Sequence, residues 1–567
     1  MFWRRTKKYR DYEIHPDEIF IDNANISNLD QQQFEGVIEQ RIPKRALTII
    51  FIFIALVFAI FTYKLFQLQI IQGNHYARIS ESNRLNKNPI FAERGIIYDI
   101  NGVELAWNTE ELEQEYLSRA YITDDGYGHL LGYVNYPQRD DNGYYWRTDV
   151  EGQDGLEKKY NNYLKGINGA YLFEVNALGD ILSEQPISEP QDGQNLITTI
   201  DSRLQSAVYR GIEKQARDAS FQGGAAAFID IQTGAIATLT SYPEYDPYTL
   251  AEGSDVVAIQ KFFNDSSKPF LNRAVSGLYS PGSTIKPFIA LAALNENLID
   301  TNTIIYSVGR IEIANRFNPS NSSVFRDWRP EGHGPTDVYH AIADSVNTFF
   351  YAISGGYGNQ EGLGINKMEE YLDTFGIAKI TGIDFSTEQN GVIPTPEWKE
   401  KTFADGTWRL GDTYNTSIGQ FGFQVGVLQM ARSIAALANM GTLHEPYLIT
   451  PTGLSKKVNA NVTTENYQII HEAMRQTVTE GTARLINIPE LAFAAKSGTA
   501  QVGIDNEYKH SWVVGFYPAS KPQYAFALVM ERAPNTESNT GSATRALKTA
   551  LDELRTDHPD FFLELEG

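Results

Sequence analysis

The sequence contains no cysteine. That absence removes disulfide staples, thiolate metal sites and cysteine nucleophiles together. Histidine is scarce, nine in all, and the nine are scattered without metal-ligand spacing. His510 is accordingly read as structural, and no metal or other cofactor is expected. Positive charge is short too: 48 Lys and Arg stand against 70 Asp and Glu, a net charge of −22. A phosphate backbone demands clustered positive charge, so a general nucleic-acid binder is excluded. No repeat with a period of about 20–50 residues is present, which excludes a solenoid. Hydrophobic residues at 42% and charged residues at 21% exclude wholesale disorder. With 567 residues, and about 100–200 per domain, the chain holds two to four folded units.

Long apolar runs are absent with one exception. Residues 46–63 (ALTIIFIFIALVFAIFTY) are 18 residues without a charge. A membrane span needs about 20 mostly apolar residues, with about 17 as the lower bound. A cleaved signal peptide has an apolar region of about 7–15 residues and a small-residue cleavage site. Here Lys64-Leu65-Phe66-Gln67-Leu68-Gln69 follows, so an uncleaved signal anchor is predicted. Arg4, Arg5, Lys7, Lys8, Arg10, Arg41, Lys44 and Arg45 precede the span and favour a cytoplasmic N-terminus. Eight acidic residues balance them in the tail, so the whole −22 belongs to residues 64–567. That acidity is predicted to keep the outer surface soluble.

Residues 64–79 continue the helical pattern through Leu65, Leu68 and Ile71. Arg94–Gly102 reads as an alternating strand ending in an Asn-Gly hairpin signal. Residues 121–194 are rich in Gly, Asn, Asp and Tyr, with a strand at Ala170–Val175. Residues 64–195 thus form a small, mainly β module. From Asn195 the texture changes. Leu196–Ile200 is a predicted strand, and Asp201 or Ser202 caps a helix through Lys214. Ala225–Ile231 and Ala235–Ser241 form a predicted hairpin. Leu491–Ala495, Trp512–Tyr517 and Tyr524–Met530 are three further strands, and Thr544–Leu554 is a closing helix. Strands from both ends of the region, with helices between, predict one α+β domain over 196–567.

Three short elements carry chemistry. The first is Ser283-Thr284-Ile285-Lys286, after Pro281 and Gly282, on a predicted helix Ser283–Leu294. Residues three apart share a helix face, so the Lys286 amine reaches toward the Ser283 hydroxyl. A serine needs a base to attack a carbonyl, and a desolvated lysine serves. Alone the pattern is weak, with about one chance match expected in such a length; a helix cap with a solvated lysine fits equally. The second is Ser345-Val346-Asn347, after a predicted helix Val338–Ala343; alone it is a polar helix end. The third is Lys496-Ser497-Gly498-Thr499, after the strand Leu491–Ala495. Lysine and two hydroxyls, with glycine where backbones approach, suit an anionic peptide lying along a strand edge. Alone it is a strand-terminating turn.

In order, 62 and 151 residues apart, the three form the motif set of penicillin-binding proteins and class A β-lactamases. The chain resembles a class B penicillin-binding protein from about residue 46 onward. Arg94–Gly102 resembles that family's segment after the anchor, with Ile100 where arginine is usual. His129–Val134, Gly155–Tyr160 and Asn195–Gln205 resemble its linker. Ala225–Pro247, Asn272–Lys286, Ser417–Gln429 and His510–Tyr517 resemble its transpeptidase domain. Asp327-Trp328 with Gly332-His333-Gly334, and Gly382-Ile383-Asp384 with Pro394–Lys399, resemble the elongation type; the division type is the close rival. About 130 residues between anchor and catalytic domain are too few for the glycosyltransferase of a class A enzyme. One departure stands out. Only residues 109–128 separate Asn108 from His129, where relatives carry a substantial head subdomain.

The resemblance implies a serine transpeptidase domain, an antiparallel sheet flanked by helices, on a small β pedestal with one transmembrane helix. It implies that Ser283 attacks the penultimate D-Ala carbonyl of a peptidoglycan stem peptide while Lys286 takes its proton. Ser345 relays a proton to the leaving amine, and Asn347 binds the substrate amide. Lys496, Ser497, Gly498 and Thr499 line the site of the terminal carboxylate, and Lys496 helps to hold Lys286 neutral. The backbone N–H groups of Ser283 and Thr499 form the oxyanion hole. The groove would thus run against the acidic surface. β-Lactams would act as inhibitors. A SEDS-family membrane glycan polymerase and other cell-elongation proteins would be partners. D,D-carboxypeptidase side activity is a further implication. Two other readings stay open: a catalytically silent scaffold for the polymerase, and a membrane-bound β-lactam sensor or β-lactamase.

Overall fold

The computed structural model describes residues 44–72, 85–111, 114–141, 145–175, 181–314, 322–383, 385, 387–449, 451, 453–458, 461–536 and 538–564. The predicted cytoplasmic tail lies outside the described residues except for its last two. The described chain falls into two units, residues 1–85 and 86–567.

The first unit holds the helix Lys44–Phe66, continued by a wider π-type turn at Gln67–Ile71. Thr48–Ile71 is 24 residues, long and apolar enough to cross a membrane, and none of it is buried against protein. The rest of the predicted extension, from residue 73, lies outside the described residues.

The second unit is built on a five-stranded antiparallel sheet. Its order is Ile236–Tyr242, Gly223–Asp230, Tyr524–Pro534, Tyr508–Tyr517, Ala494–Val502. Strands from both ends of the region share one sheet, as the pattern predicts. Successive side chains on a strand point to opposite faces. Ala225, Ala227 and Ile229 enter one core cluster with Trp512, Val514 and Phe516. Ala226 and Phe228 enter the other with Val513, Tyr517 and Phe526. Both faces are covered, which is why these strands read as continuous apolar runs.

The helices on one face are Ser202–Ala219 and Ala543–Asp557. The first is capped by the Asp201 carboxylate, which accepts from Arg203 N at 3.0 Å. It runs past the predicted end at Lys214 to Ser220, which adopts left-handed φ 57. On the other face lie the buried helices Lys286–Asn295 and Val427–Ala438.

One predicted strand is displaced. Leu491 and Phe493 are buried ahead of the sheet, and pairing begins at Ala494. Burial in a turn gave those residues the apolar look of a strand. The Lys496-Ser497-Gly498 element is therefore inside the strand, not a turn after it.

Ahead of this domain is a four-stranded sheet, ordered Leu196–Ile197, Ile97–Tyr98, Glu104–Thr109, Ser118–Tyr121. Leu196–Ile197 is shorter than predicted and belongs to this sheet. Thr109 pairs directly with Ser118, so only eight residues of sequence separate the two strands where relatives carry a head subdomain. The sheet is braced by a buried ion triad. Glu157 takes Arg94 Nε at 2.6 Å and Arg119 Nε at 2.7 Å. Each charge is paired, as burial requires. Glu244 joins the two parts of the unit: its carboxylate accepts from Gly126 N at 2.6 Å and Gly128 N at 2.7 Å.

Candidate active site

Ser283 sits on a tight 3₁₀ turn, Gly282–Ile285, and the α-helix proper starts at Lys286. The pattern predicted α-helix from Ser283. Gly282, at φ 56, and the Thr284 hydroxyl bonded to Pro281 O at 2.9 Å set up the tighter turn. Positions i and i+3 eclipse in a 3₁₀ helix, so Ser283 and Lys286 still share one side.

The turn is wedged between two neighbours. A Cβ on Gly419 would stand 2.2 Å from Gly282 O. A Cβ on Gly498 would stand 2.8 Å from Thr284 Cγ2. Only glycine permits either approach. Trp512 Nε1 donates to Ser280 O at 2.9 Å and pins the turn to the sheet.

Lys286 is fully buried. Its Nζ donates to Ser345 O at 2.8 Å, to Ser345 Oγ at 3.2 Å and to Asn347 Oδ1 at 2.7 Å. The Phe350 ring lies 5.1 Å from it. Lys286 has no hydrogen bond to Ser283 among the described residues; the amine is held by the second element instead. Burial, then the positive charge of Lys496, push its pKa well below that of an ordinary lysine, while Asp327 opposes the shift.

Lys496 is also fully buried, on the edge strand of the sheet. Its Nζ donates to Ser497 O at 2.7 Å. Burial lowers its pKa to about 7, and the Asp344 carboxylate opposes that. Ser497 Oγ and Thr482 Oγ1 share a hydrogen bond of 2.6 Å. Thr499 is exposed and Gly498 buried on the same strand. Among the described residues the strand's outer edge has no strand partner, which suits an extended peptide.

The fold thus bonds Lys286, Ser345 and Asn347 into one cluster, with Ser283 one 3₁₀ turn ahead of Lys286 and the Lys496 strand packed against the Ser283 turn. His510 lies apart from the bonded cluster. Its Nδ1 accepts from Arg532 N at 3.1 Å, and its ring meets the edge of Tyr279 at 5.4 Å. Burial lowers its pKa to about 4.

Sequence reasoning passed over Thr482, whose partner is distant in sequence, and Phe350, which reads as ordinary core. Gly419 and Asp327 stand in the sequence only as parts of longer resemblances. The glycine run Gly419-Gln420-Phe421-Gly422 was the available signal for the first.

A serine on a tight turn, a buried lysine beside it and a lysine-bearing edge strand make up a candidate serine acyl-transfer site. Residues 224–552 match the family described as penicillin binding protein transpeptidase domain, and residues 112–198 match penicillin-binding protein dimerisation domain. The chain belongs to the penicillin-binding protein transpeptidase family. It is similar to peptidoglycan D,D-transpeptidase MrdA of Acinetobacter baumannii, 32% identical, over 77% of this chain and 66% of that protein. The chain therefore spans just under two thirds of that relative's length. MrdA of Escherichia coli K12 is 28% identical over 91% of this chain and 94% of that protein. The structure of Pseudomonas aeruginosa PBP2 in complex with WCK 5153 superposes with a TM-score of 0.66 at 28% identity, covering 84% of this chain and 98% of that one. A chain in a peptidoglycan synthase complex, described for coordinating polymerization and crosslinking, gives 0.67 at 26% identity over 90% and 97%.

Proposed function

We propose that the protein is an elongation-type D,D-transpeptidase that crosslinks peptidoglycan stem peptides through a Ser283 ester. The observation that carries this is the fully buried Lys286, held on Ser345 and Asn347 within three residues of Ser283. Similarity to proteins named MrdA favours elongation over division.

A neutral Lys286 amine keeps two N–H bonds, to Ser345 O and Asn347 Oδ1, and has a lone pair left to accept the Ser283 proton. Ser283 Oγ then attacks the penultimate D-Ala carbonyl. The Ser283–C bond forms and the C–N bond to the terminal D-Ala breaks. Ser345 passes the proton from Lys286 to the departing amine. Backbone N–H groups of Ser283 and Thr499 stabilise the oxyanion. Lys496, Ser497 and Thr499 receive the terminal carboxylate, whose charge raises the Lys496 pKa and keeps it protonated. An amine of a second stem peptide then displaces Ser283 and makes the crosslink. Water in its place gives D,D-carboxypeptidase activity.

The chain divides on this reading into a cytoplasmic tail (1–45), a signal anchor (46–63), a shortened pedestal (64–195) and the transpeptidase domain (196–567). The catalytic domain lies outside the cytoplasm, beside a SEDS-family glycan polymerase in the membrane. Incubating the full chain in detergent with a fluorescent penicillin tests the central claim. A stable label is expected on the wild type and none on Ser283→Ala. Equal labelling of both, or of neither, overturns it.

A further inference from the structure

Ser345 adopts φ +60, a left-handed conformation that non-glycine residues rarely hold. Such strain costs about 1–3 kcal/mol and persists only when the surroundings enforce it. Ser345 N donates to Ile342 O at 3.3 Å and Val346 N to Ala341 O at 3.0 Å, and a separate segment, Asp327-Trp328, which the transpeptidase chemistry does not use, adds contacts on either side of the turn.

Two contacts bracket the strained residue. Before it, Trp328 Nε1 donates to Asp344 O at 3.0 Å. After it, the Asp327 carboxylate accepts from Thr348 N at 2.9 Å, and Thr348 Oγ1 lies 3.0 Å from the same oxygen. The second contact completes a helix. Asn347–Gly355 starts with Val346 at its N-cap, which supplies no side-chain cap. The first N–H groups of a helix lack internal partners, and a carboxylate there also meets the positive end of the helix dipole. Asp327 provides that cap from a different part of the chain.

The Asp327 side chain has no solvent exposure and is itself fixed. Its other oxygen accepts from Trp328 N at 2.8 Å and lies 3.4 Å from His333 Nε2. The Asp327 N–H donates to Gly309 O at 2.8 Å. The His333 ring meets the edge of Trp328 at 5.4 Å.

We propose that Asp327 and Trp328 are positioning residues that brace the Ser345 turn from both sides and so hold Ser345 and Asn347 on Lys286. This rests on the transpeptidase reading of the site. The brace fixes where the Lys286 amine points, because its three acceptor atoms all lie within the braced turn. The buried carboxylate also has an electrostatic effect. The charges acting on Lys286 are Lys496, which lowers its pKa, and Asp327, which raises it; Asp344 acts in turn on Lys496.

The test uses the full chain in detergent and three variants. Trp328→Phe removes only the indole N–H. Asp327→Asn keeps shape but loses charge. Thr348→Val loses the hydroxyl and keeps the charge nearby. Acylation by a fluorescent penicillin is followed against pH, and amide hydrogen exchange is followed across residues 344–349. Trp328→Phe and Asp327→Asn are each expected to acylate about tenfold more slowly, the scale of one lost buried hydrogen bond. Both should exchange faster in that segment. The acid limb of the profile should move to lower pH in Asp327→Asn alone, because Lys286 loses a counter-charge. A merely structural residue would not move that limb. Wild-type rates, profiles and exchange in both variants overturn the brace. If Asp327→Asn does not fold, Trp328→Phe decides. If the wild type itself is not acylated, the transpeptidase reading fails, and exchange alone decides the brace.

Discussion

Lys286 Nζ donates to Asn347 Oδ1 at 2.7 Å across 61 positions of sequence. That bond ties the first chemical element to the second, and it sets what each residue's loss should do. Lys286→Met keeps an apolar chain of similar length but removes the base. General-base removal typically costs about 10²–10⁴-fold in rate. Penicillin acylation should fall by that factor, with a stability loss of about 1–3 kcal/mol because Ser345 O and Asn347 Oδ1 lose their donor. Asn347→Ala should cost less, about tenfold, because Ser345 O still holds the amine. Stopped-flow acylation of both variants checks the ranking.

The pH dependence follows from two depressed lysines. On the proposed mechanism Lys286 acts as a base only when neutral, so acylation should rise with pH through its lowered pKa. On the same proposal Lys496 binds a carboxylate only when charged, and burial lowers its pKa to about 7. Affinity for a carboxylate-ended substrate should therefore weaken as pH climbs above about 7. Lys496→Arg stays charged throughout. It should abolish the alkaline weakening while leaving the acid limb in place, as read from initial rates against substrate concentration across pH.

Gly419 and Gly498 are the two positions where the Ser283 turn touches its support most closely. Gly419→Ala places a Cβ 2.2 Å from Gly282 O, at a φ of +74 that alanine resists. The turn must move. Acylation should drop by well over tenfold, since a displacement of about 1 Å can cost about 10²-fold. A crystal structure of the variant should show Ser283 shifted away from Lys286. Normal acylation by Gly419→Ala would mean that the wedge does not position the nucleophile.

Glu244 gives a stability prediction with a definite sign. Burial raises its pKa from the usual 4.5 to about 8, against the backbone N–H bonds that favour its charge. The folded protein then binds a proton that the unfolded chain releases. That contribution is complete below about pH 4.5 and is lost as pH rises through about 8. Glu244→Gln should be flatter than the wild type between those limits in thermal denaturation followed against pH. An identical slope in the two proteins would show that the carboxyl titrates normally.

Much of this was legible in the sequence because it is local or periodic. The helix Val338–Ala343 was predicted to the residue. The strands around Ala225, Ala235, Trp512 and Tyr524 follow from apolar runs, since both sheet faces are buried. The strand at Leu491–Ala495 was misplaced because burial alone does not mark where pairing begins. Lys286 was readable as a candidate base, but its three acceptors depend on the distant Ser345 turn. The Glu244 clasp, the Thr482–Ser497 bond and the Asp327 cap share that property. Each joins residues of different elements through one or two contacts, and no periodicity records it.

The order of strands in the central sheet has a consequence for biogenesis. Gly223–Tyr242 and the Ser283 turn are made early, yet the strand Ala494–Val502 and the two strands linking it to Gly223–Asp230 come last. A ribosome-bound chain therefore carries Ser283 without the strand proposed to receive a carboxylate. Pairing over such long loops is also slow to form. On the proposed function, acyl chemistry is thus withheld until synthesis is nearly finished. A nascent chain stalled before residue 494 should be blind to penicillin, although Ser283 and Lys286 are both already present.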